Sequence, residues 1–153
     1  MIKRWLVALI LFPVMISCSP NADQSFHRLG KLEGNWISAK GTTIFFQWKR
    51  FENDLEGMSY SLQNRDSIFF NRFKIEPYHD SLFFYLKSDS RKKERKRYRL
   101  TSDWFNKYIF EAQQDIYPFR ITISLKNDTL WHYRQENIRG NKAIDFELKR
   151  ITP

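Results

Sequence analysis

Polar breaks that recur along most of the chain limit its possible folds more than any other feature. They contain Gly, Asn, Asp or Ser, and roughly a dozen residues separate one break from the next. The breaks are Lys40-Gly41, Asn53-Asp54, 64–66, His79-Asp80, 88–90, 101–103, 113–115, Asn127-Asp128 and Gly140-Asn141. Short segments between turn residues at this spacing are typical of an antiparallel meander, so we expect about ten strands.

The segment 119–126 shows the alternation expected of a strand with one buried face. Successive side chains of a strand point to opposite faces of the sheet, and apolar and polar residues occupy alternate positions here. The apolar set is Phe119, Ile121, Ile123 and Leu125, and the polar set is Arg120, Thr122, Ser124 and Lys126. We expect the apolar set to face the core.

Three other segments, 44–46, 68–70 and 82–86, are apolar at consecutive positions. Such strands need cover on both faces, from a second layer, a ligand cavity, a membrane surface or a partner. A meander avoids exposed edges most simply by closing. We predict an all-β fold, an antiparallel up-and-down β-barrel of about eight to ten strands, with an open sandwich as the alternative. A short helix is predicted over 24–32, where apolar residues share a face suited to closing one end.

The N-terminal residues have the pattern of a secretory signal. Two basic residues precede an apolar stretch over 5–16, which is too short to cross a bilayer as a permanent helix. Met15-Ile16-Ser17-Cys18 then resembles the lipobox of bacterial lipoproteins, and an ordinary signal that contains a cysteine is the alternative. We predict a signal peptide over 1–17, lipidation of Cys18, a flexible tether over 18–24 and one domain over 25–153.

This pattern places the protein in the bacterial cell envelope. Acyl chains on Cys18 would anchor it without a transmembrane helix, since each buried methylene contributes about 0.8 kcal/mol. Ser19 follows the cysteine, where an aspartate would favour retention at the inner membrane, so we expect an outer-membrane location facing the periplasm. The chain has a formal net charge of +9, and it stays strongly cationic after the leader is removed. Its single cysteine excludes an internal disulfide.

The first and last predicted strands carry a tryptophan and an arginine that barrel closure would bring together. Gly34-Asn35-Trp36 opens the first strand, and Arg150 ends the last on its apolar face, in the parity of Phe146 and Leu148. An inward cation needs a partner, and tryptophan is the best cation-π acceptor. We expect Arg150 to lie over Trp36 in a structural role. The alternative is a core tryptophan and a separate surface arginine.

This arrangement resembles the lipocalin and fatty-acid-binding superfamily, in which a basic residue near the chain end covers the Gly-x-Trp of the first strand. Most of the domain resembles one family more closely. This is a family of lipocalin-like bacterial lipoprotein domains of unknown function, the DUF6265 type. The resemblance is carried by 32–36, Gly57, Ser59, 74–76, Phe110-Glu111 and 117–121. The chain departs from that family at Asp115 and Ile116, where the family tends to have His-Asp. The resemblance implies a ligand-binding barrel and no reaction.

No set of residues has the spacing of a catalytic or metal site. His27, His79 and His132 are far apart, and none has a partner at the spacing of metal ligands. The five glycines form no phosphate loop, and no serine stands in a Gly-x-Ser-x-Gly turn. His132 has the strand setting of a haem ligand in some ten-stranded barrels, and the alternative is a strand histidine satisfied by a neighbour or solvent. We predict no enzyme activity, no cofactor and no metal.

A run of basic residues over 91–99 contains a single acid. The first six cations of this run are Arg91, Lys92, Lys93, Arg95, Lys96 and Arg97. In a cytosolic protein the run would indicate nucleic acid, but the leader places it where lipid headgroups, lipopolysaccharide phosphates and acidic glycans are the polyanions. We expect contact with an anionic surface or a solvated hairpin, and no nucleic-acid partner.

Two functions are consistent with these patterns. In the first, the barrel holds a small hydrophobic ligand, such as a fatty acid or a lipid fragment. Its lining residues would be Trp36, Trp48, Met58, Tyr60 and Phe84. In the second, side chains fill the barrel, and the protein is a non-enzymatic interaction module that docks an envelope partner or an anionic surface. An empty interior would favour the first function and a filled interior the second.

Overall fold

The computed structural model describes residues 20–63, 66–88 and 94–151. The predicted signal peptide, the predicted lipidation site Cys18 and the basic residues Arg91, Lys92 and Lys93 lie outside the described residues. Within these ranges, no helix has both the length and the apolar character needed to cross a bilayer.

Ten antiparallel strands form a closed barrel, which confirms the predicted fold class. Each strand pairs with the next along the chain, and the first pairs with the last. The strands are β1 (Gly34–Ser38), β2 (Phe45–Arg50), β3 (Leu55–Gln63), β4 (Asp66–Tyr78), β5 (Ser81–Ser88), β6 (Arg95–Trp104), β7 (Lys107–Ala112), β8 (Arg120–Asn127), β9 (Leu130–Glu136) and β10 (Ala143–Arg150). Most of the polar breaks fall at the connections between strands, as expected. The break predicted at 101–103 is wrong, because these residues lie inside β6 and the turn that follows is formed by Phe105 and Asn106.

One end of the barrel is closed by helix α1 (Ala22–Leu29) and a 3-10 turn (Gly30–Leu32). We call it the helical end, and the turns after β2, β4, β6 and β8 share it because neighbouring strands alternate in direction. The side chain of Asn21 caps the helix by accepting a 3.0 Å hydrogen bond from the Gln24 amide. The helix thus begins at Ala22, earlier than predicted, and residues 22–24 of the predicted tether belong to it.

Aromatic side chains fill the interior of the barrel. The ring of Phe46 lies 5.6–5.8 Å, centroid to centroid, from the rings of Phe73, Trp131, Tyr133 and Phe146. These separations are those of rings in direct contact. The alternation predicted for 119–126 is confirmed, because Ile121, Ile123 and Leu125 are buried in the same core.

Two of the three consecutive apolar segments, 44–46 and 82–86, place one set of side chains inside and the other on the outer surface. In β5, Leu82, Phe84 and Leu86 are buried in the core, while the outward Phe83 ring lies under the guanidinium of Arg97, 4.9 Å from it. The segment 68–70 remains more than a third exposed. The outer face of these apolar segments is therefore covered by cations in one strand and open to solvent in another.

The barrel closes at the predicted pair. Trp36 and Arg150 are direct partners in the β1–β10 register, and the Arg150 guanidinium lies 4.3 Å from the centroid of the indole. The indole Nε1 donates a 2.7 Å hydrogen bond to the carbonyl of Leu32. Gly34 has φ +127°, and a Cβ there would lie 2.6 Å from Arg150 Nη1, so the glycine makes room for the guanidinium.

Arg150 also donates to three backbone carbonyls in two separate segments. Its Nε donates to the carbonyl of Asp128, Nη1 to that of Glu33 and Nη2 to that of Lys31, at 2.8–2.9 Å. These carbonyls belong to the turn after β8 and to the 3-10 turn with its C-cap. The planar guanidinium supplies donors in the directions that these carbonyls need. We call this set of contacts the closing clasp.

We expect Arg150→Lys to lower the free energy of unfolding by about 2–4 kcal/mol, because hydrogen bonds to a charged group contribute about 1.5–3 kcal/mol each. Lysine keeps the charge and loses the forked donors. Urea denaturation followed by tryptophan fluorescence measures the change. The control is Lys149→Ala at the exposed neighbouring position, which should stay within about 0.5 kcal/mol of the wild type. Equal stability of Arg150→Lys and the wild type would contradict the clasp.

Candidate functional site

The five predicted ligand-lining residues do not lie in one place. Trp36, Trp48 and Phe84 are buried in the filled core. Met58 and Tyr60 lie on the outer face, so their assignment to the interior is wrong. Strand β3 directs Leu55, Gly57 and Ser59 inward, and the residues between them therefore face outward.

Gly57 occupies an inward position because the Trp48 ring needs the space above it. The two residues are cross-strand partners, and a Cβ on Gly57 would lie 2.6 Å from the indole. The indole therefore packs directly on the β3 backbone. Parity counted from the large side chains of β3 misses this, because the glycine has no side chain to mark its face.

A groove on the outer face of β1–β6 has a volume of about 810 Å³. Outward side chains from six adjacent strands line it, together with the inward residues Gly34, Trp48, Gly57 and Phe73 and with Glu33 and Phe51. These side chains are Asn35, Gln47, Lys49, Glu56, Met58, Arg72, Lys74, Tyr85, Lys87 and Arg95. The groove therefore lies outside the barrel, where solvent and other molecules have direct access.

Three cations stand side by side across the groove, and we call them the cationic row. Arg72 pairs with Lys87 in the β4–β5 register, and Lys87 pairs with Arg95 in the β5–β6 register. Directly opposite side chains of antiparallel strands have Cβ atoms about 4.5–5.5 Å apart, and like charges there are destabilising. None of the three has an ion-pair partner among the described residues. Their positive charge is therefore available to a ligand.

The neighbouring cation of the groove is already neutralised. Lys74 Nζ lies 2.6 Å from Glu76 and 3.0 Å from Asp54, and the hydrogen bonds to Glu76 and Asp54 raise the pKa of Lys74. Burial raises the pKa of Glu76, but the hydrogen bonds from Lys74 and Tyr85 outweigh it, so the net pKa is lowered. The Tyr85 ring also supports Arg95, whose guanidinium lies 4.2 Å from its centroid. Tyr85, which is hydrogen-bonded to Glu76, therefore holds Arg95 in place at one end of the cationic row.

The predicted basic run is divided by the structure. Arg95 lines the groove, and Arg97 lies on the same outer face over Phe83. Lys96 is on the opposite side of the strand, and its Nζ donates a 2.5 Å hydrogen bond to the carbonyl of Tyr117. The sequence reasoning missed Arg72 and Lys87, because they are isolated basic residues in separate strands and only the sheet register brings them beside Arg95.

An apolar row adjoins the cationic row on the same outer face. Ile37, Phe45, Tyr60 and Phe69 are successive partners across β1, β2, β3 and β4. The ring centroids of Phe45 and Tyr60 are 5.3 Å apart, and those of Tyr60 and Phe69 are 6.0 Å apart. Each of these side chains is partly or largely exposed. Charged and apolar surfaces therefore lie side by side on this outer face, and the apolar row lies beyond the lining of the groove.

A second group of titratable residues, on β7–β9, is internally neutralised. Arg120 lies between its register partners Glu111 and Glu136, and it donates to both at 2.7–2.9 Å. Arg134 Nε donates to the other carboxylate oxygen of Glu136 at 3.0 Å. Burial raises the pKa of Glu136, but the hydrogen bonds from Arg120 and Arg134 lower it by more than this. The net pKa of Glu136 is therefore below the usual 4.5. This network cross-links three strands.

The three histidines are not brought together. His27 lies on α1, His79 in the turn after β4, and His132 on β9, where its Nε2 is 3.3 Å from Glu147. Within the described ranges, no cluster of three or more His, Cys, Asp or Glu side chains is placed to hold a metal ion.

No protein-family model matches the chain, and no curated protein is significantly similar to it.

We expect Glu136→Gln to lower the free energy of unfolding at pH 7 by about 1–3 kcal/mol, because two charge-assisted hydrogen bonds are weakened. The folded pKa of Glu136 is below its unfolded value, so its stabilisation is complete above the unfolded pKa and is lost as pH falls through the folded pKa. The difference between variant and wild type should therefore shrink in acid. Urea denaturation at neutral and acidic pH measures it.

The matched control is Asp145→Asn, which touches the same network only through a 3.5 Å contact with Arg134 and is more than half exposed. It should change the stability little at either pH. A pH-independent deficit in Glu136→Gln would mean that packing, and not charge, is the contribution of this residue.

Proposed function

We propose that this protein is a lipid-anchored, non-enzymatic binding protein of the bacterial cell envelope. Its barrel is filled, and its outer groove binds an anionic group. The observation that carries the proposal is the cationic row, in which Arg72, Lys87 and Arg95 face one another across three strands.

The electrostatics of the row favour an anionic ligand. Each pair of opposed like charges destabilises the sheet by a few tenths of a kcal/mol to about 1 kcal/mol. A bound phosphate or carboxylate would relieve this repulsion, and the guanidiniums of Arg72 and Arg95 can each form two parallel hydrogen bonds to such a group. The repulsion is already present in the free protein, so an anion binds without having to displace an acidic side chain from the row.

The apolar row narrows the ligand class to an anionic amphiphile. A molecule with a phosphate or carboxylate in the groove would place its apolar part along Ile37, Phe45, Tyr60 and Phe69. Envelope lipids combine these two parts in one molecule. We therefore propose an anionic lipid, with its charged group on the cationic row, as the ligand.

The location rests on the leader. The basic start, the short apolar stretch and the lipobox-like Met15-Ile16-Ser17-Cys18 support export and acylation at Cys18, with the outer membrane facing the periplasm as the proposed destination. The closed ten-stranded barrel with its Trp36–Arg150 contact is in keeping with the lipocalin-like resemblance. Membership of that family stays part of the proposal.

Titration with short-chain phosphatidylglycerol tests the groove, using the full chain in a neutral detergent. We expect Lys87→Glu to weaken binding about tenfold, because reversal of the central charge turns attraction into repulsion. The matched control is Lys126→Glu, another exposed strand lysine, on β8 and outside the groove. Equal weakening by both variants would show that net charge alone drives binding. Equal binding of short-chain phosphatidylcholine would exclude recognition of the anion.

A ligand inside the barrel is the second candidate, and one observation favours it. The indole nitrogens of Trp48 and Trp131 and the hydroxyl of Tyr98 are buried without a hydrogen-bond partner among the described residues. Burial also raises the pKa of Tyr98 well above its usual value, so the hydroxyl stays protonated and can donate. A polar group of a small ligand would satisfy these donors.

Native mass spectrometry of the full chain, purified from cells, distinguishes the two candidates. A filled barrel predicts the mass of the acylated protein with no further adduct. A stoichiometric adduct that solvent extraction removes, and that Lys87→Glu leaves in place, would favour the interior ligand over the groove.

A further inference from the structure

Two aromatic side chains at the tip of the β6–β7 hairpin project into solvent. Trp104 is 70% exposed and Phe105 is 87% exposed, and their rings meet edge to face at 5.1 Å. The other described tryptophans, Trp36, Trp48 and Trp131, are at most 2% exposed. These two side chains are the most exposed of the large hydrophobic residues that the structure describes.

The backbone of the tip is also unfavourable for the residue it carries. Trp104 pairs with Lys107, and the two residues between them, Phe105 and Asn106, have φ of +48° and +59°. Such a two-residue turn normally takes Asn or Gly, because a bulky side chain destabilises positive φ. Phe105 has little packing to offset this cost. An exposed aromatic kept in a strained position points to a role outside folding.

The hairpin is attached to the helix that follows the proposed anchor. Ser25 and Arg28 of α1 both donate hydrogen bonds to the carboxylate of Asp103, directly before Trp104. The Arg28 guanidinium also lies 5.9 Å from the centroid of Tyr108 on the returning strand. Helix α1 is therefore held against the base of the hairpin tip.

The chain enters the domain at this same end. Pro20 lines a cleft with residues 80–82, next to the turn after β4, and with residues 99–101 of β6. Cys18 precedes Pro20 by two residues, so even a fully extended chain places it within about 7 Å of Pro20. Acyl chains on Cys18 would thus hold the helical end of the barrel at the bilayer surface.

We propose that the helical end docks on the bilayer, with Trp104 and Phe105 inserted into the lipid interface. Tryptophan is enriched at this depth of membranes because one part of its ring system is apolar and one part donates a hydrogen bond. Tyr78, 61% exposed in the turn at the end of β4, lies at the same end and adds a second aromatic contact. Lys107, the exposed partner of Trp104, can reach lipid phosphates. This inference rests on the proposed anchoring through Cys18.

Quenching of tryptophan fluorescence by brominated lipid tests the docking. The mature chain, from which removal of the leader also takes Trp5, is reconstituted into neutral phosphatidylcholine vesicles with bromine at defined depths along the acyl chain. Because the other described tryptophans are buried, Trp104 should account for most of the quenching, and Trp104→Phe should remove it. Bromine near the headgroup should quench more than bromine at the bilayer centre. Neutral vesicles keep the result independent of the cationic row.

Phe105→Asn separates docking from folding. Asparagine suits the positive φ, so this variant should unfold at a urea concentration equal to or above that of the wild type. In this variant, the quenching of Trp104 fluorescence by brominated lipid should nevertheless fall, because an apolar contact with the bilayer is lost. Unchanged quenching in a stable Phe105→Asn variant would overturn the role of Phe105.

The mass of the N-terminal peptide reports the anchor separately. If Cys18 is acylated and Trp104 is not quenched, docking is overturned and the anchored location stands. If Cys18 is not acylated, the anchored location is overturned. In that case, vesicle association that depends on Trp104 still supports the docking surface, and its absence overturns the surface as well.

Discussion

The contact between Arg150 and Trp36 is the constraint on which the rest of this structure depends. A sheet of ten strands must bring its outer members together to satisfy their backbone groups. Here the last strand supplies a guanidinium that covers the indole of the first strand and donates to three carbonyls. The same residue therefore closes the sheet and ties the 3-10 turn below α1 to the barrel, which positions everything at the helical end.

Closure gives every strand an inner and an outer face, and aromatic residues lie on both. The interior takes the rings around Phe46 at contact distances. The remaining rings lie outside, where Arg95 and Arg97 cover Tyr85 and Phe83. The outer surface therefore combines aromatic rings, the cations that stack on them and apolar side chains. That surface, unlike the buried core, is accessible to other molecules.

Reasoning from the sequence succeeded where a signal was local and failed where it depended on pairing. The alternation over 119–126 identified β8, because the period of a strand is written in consecutive residues. The same parity argument misassigned Met58 and Tyr60, because Gly57 takes an inward position without a side chain to mark it. The helix start was misjudged because the capping Asn21 lies before the apolar pattern that was used to find it.

The sequence by itself determined the approximate number of strands, the presence of Trp36 and Arg150 on the first and last of them, and the excess of positive charge, since turn residues, alternation and composition are local properties. Only the tertiary structure decided that Arg72, Lys87 and Arg95 stand in one row, and that Trp104 and Phe105 share an end with the entering chain. Register and strand direction are set by packing across the whole sheet. They bring together residues far apart in sequence, for which no local pattern exists.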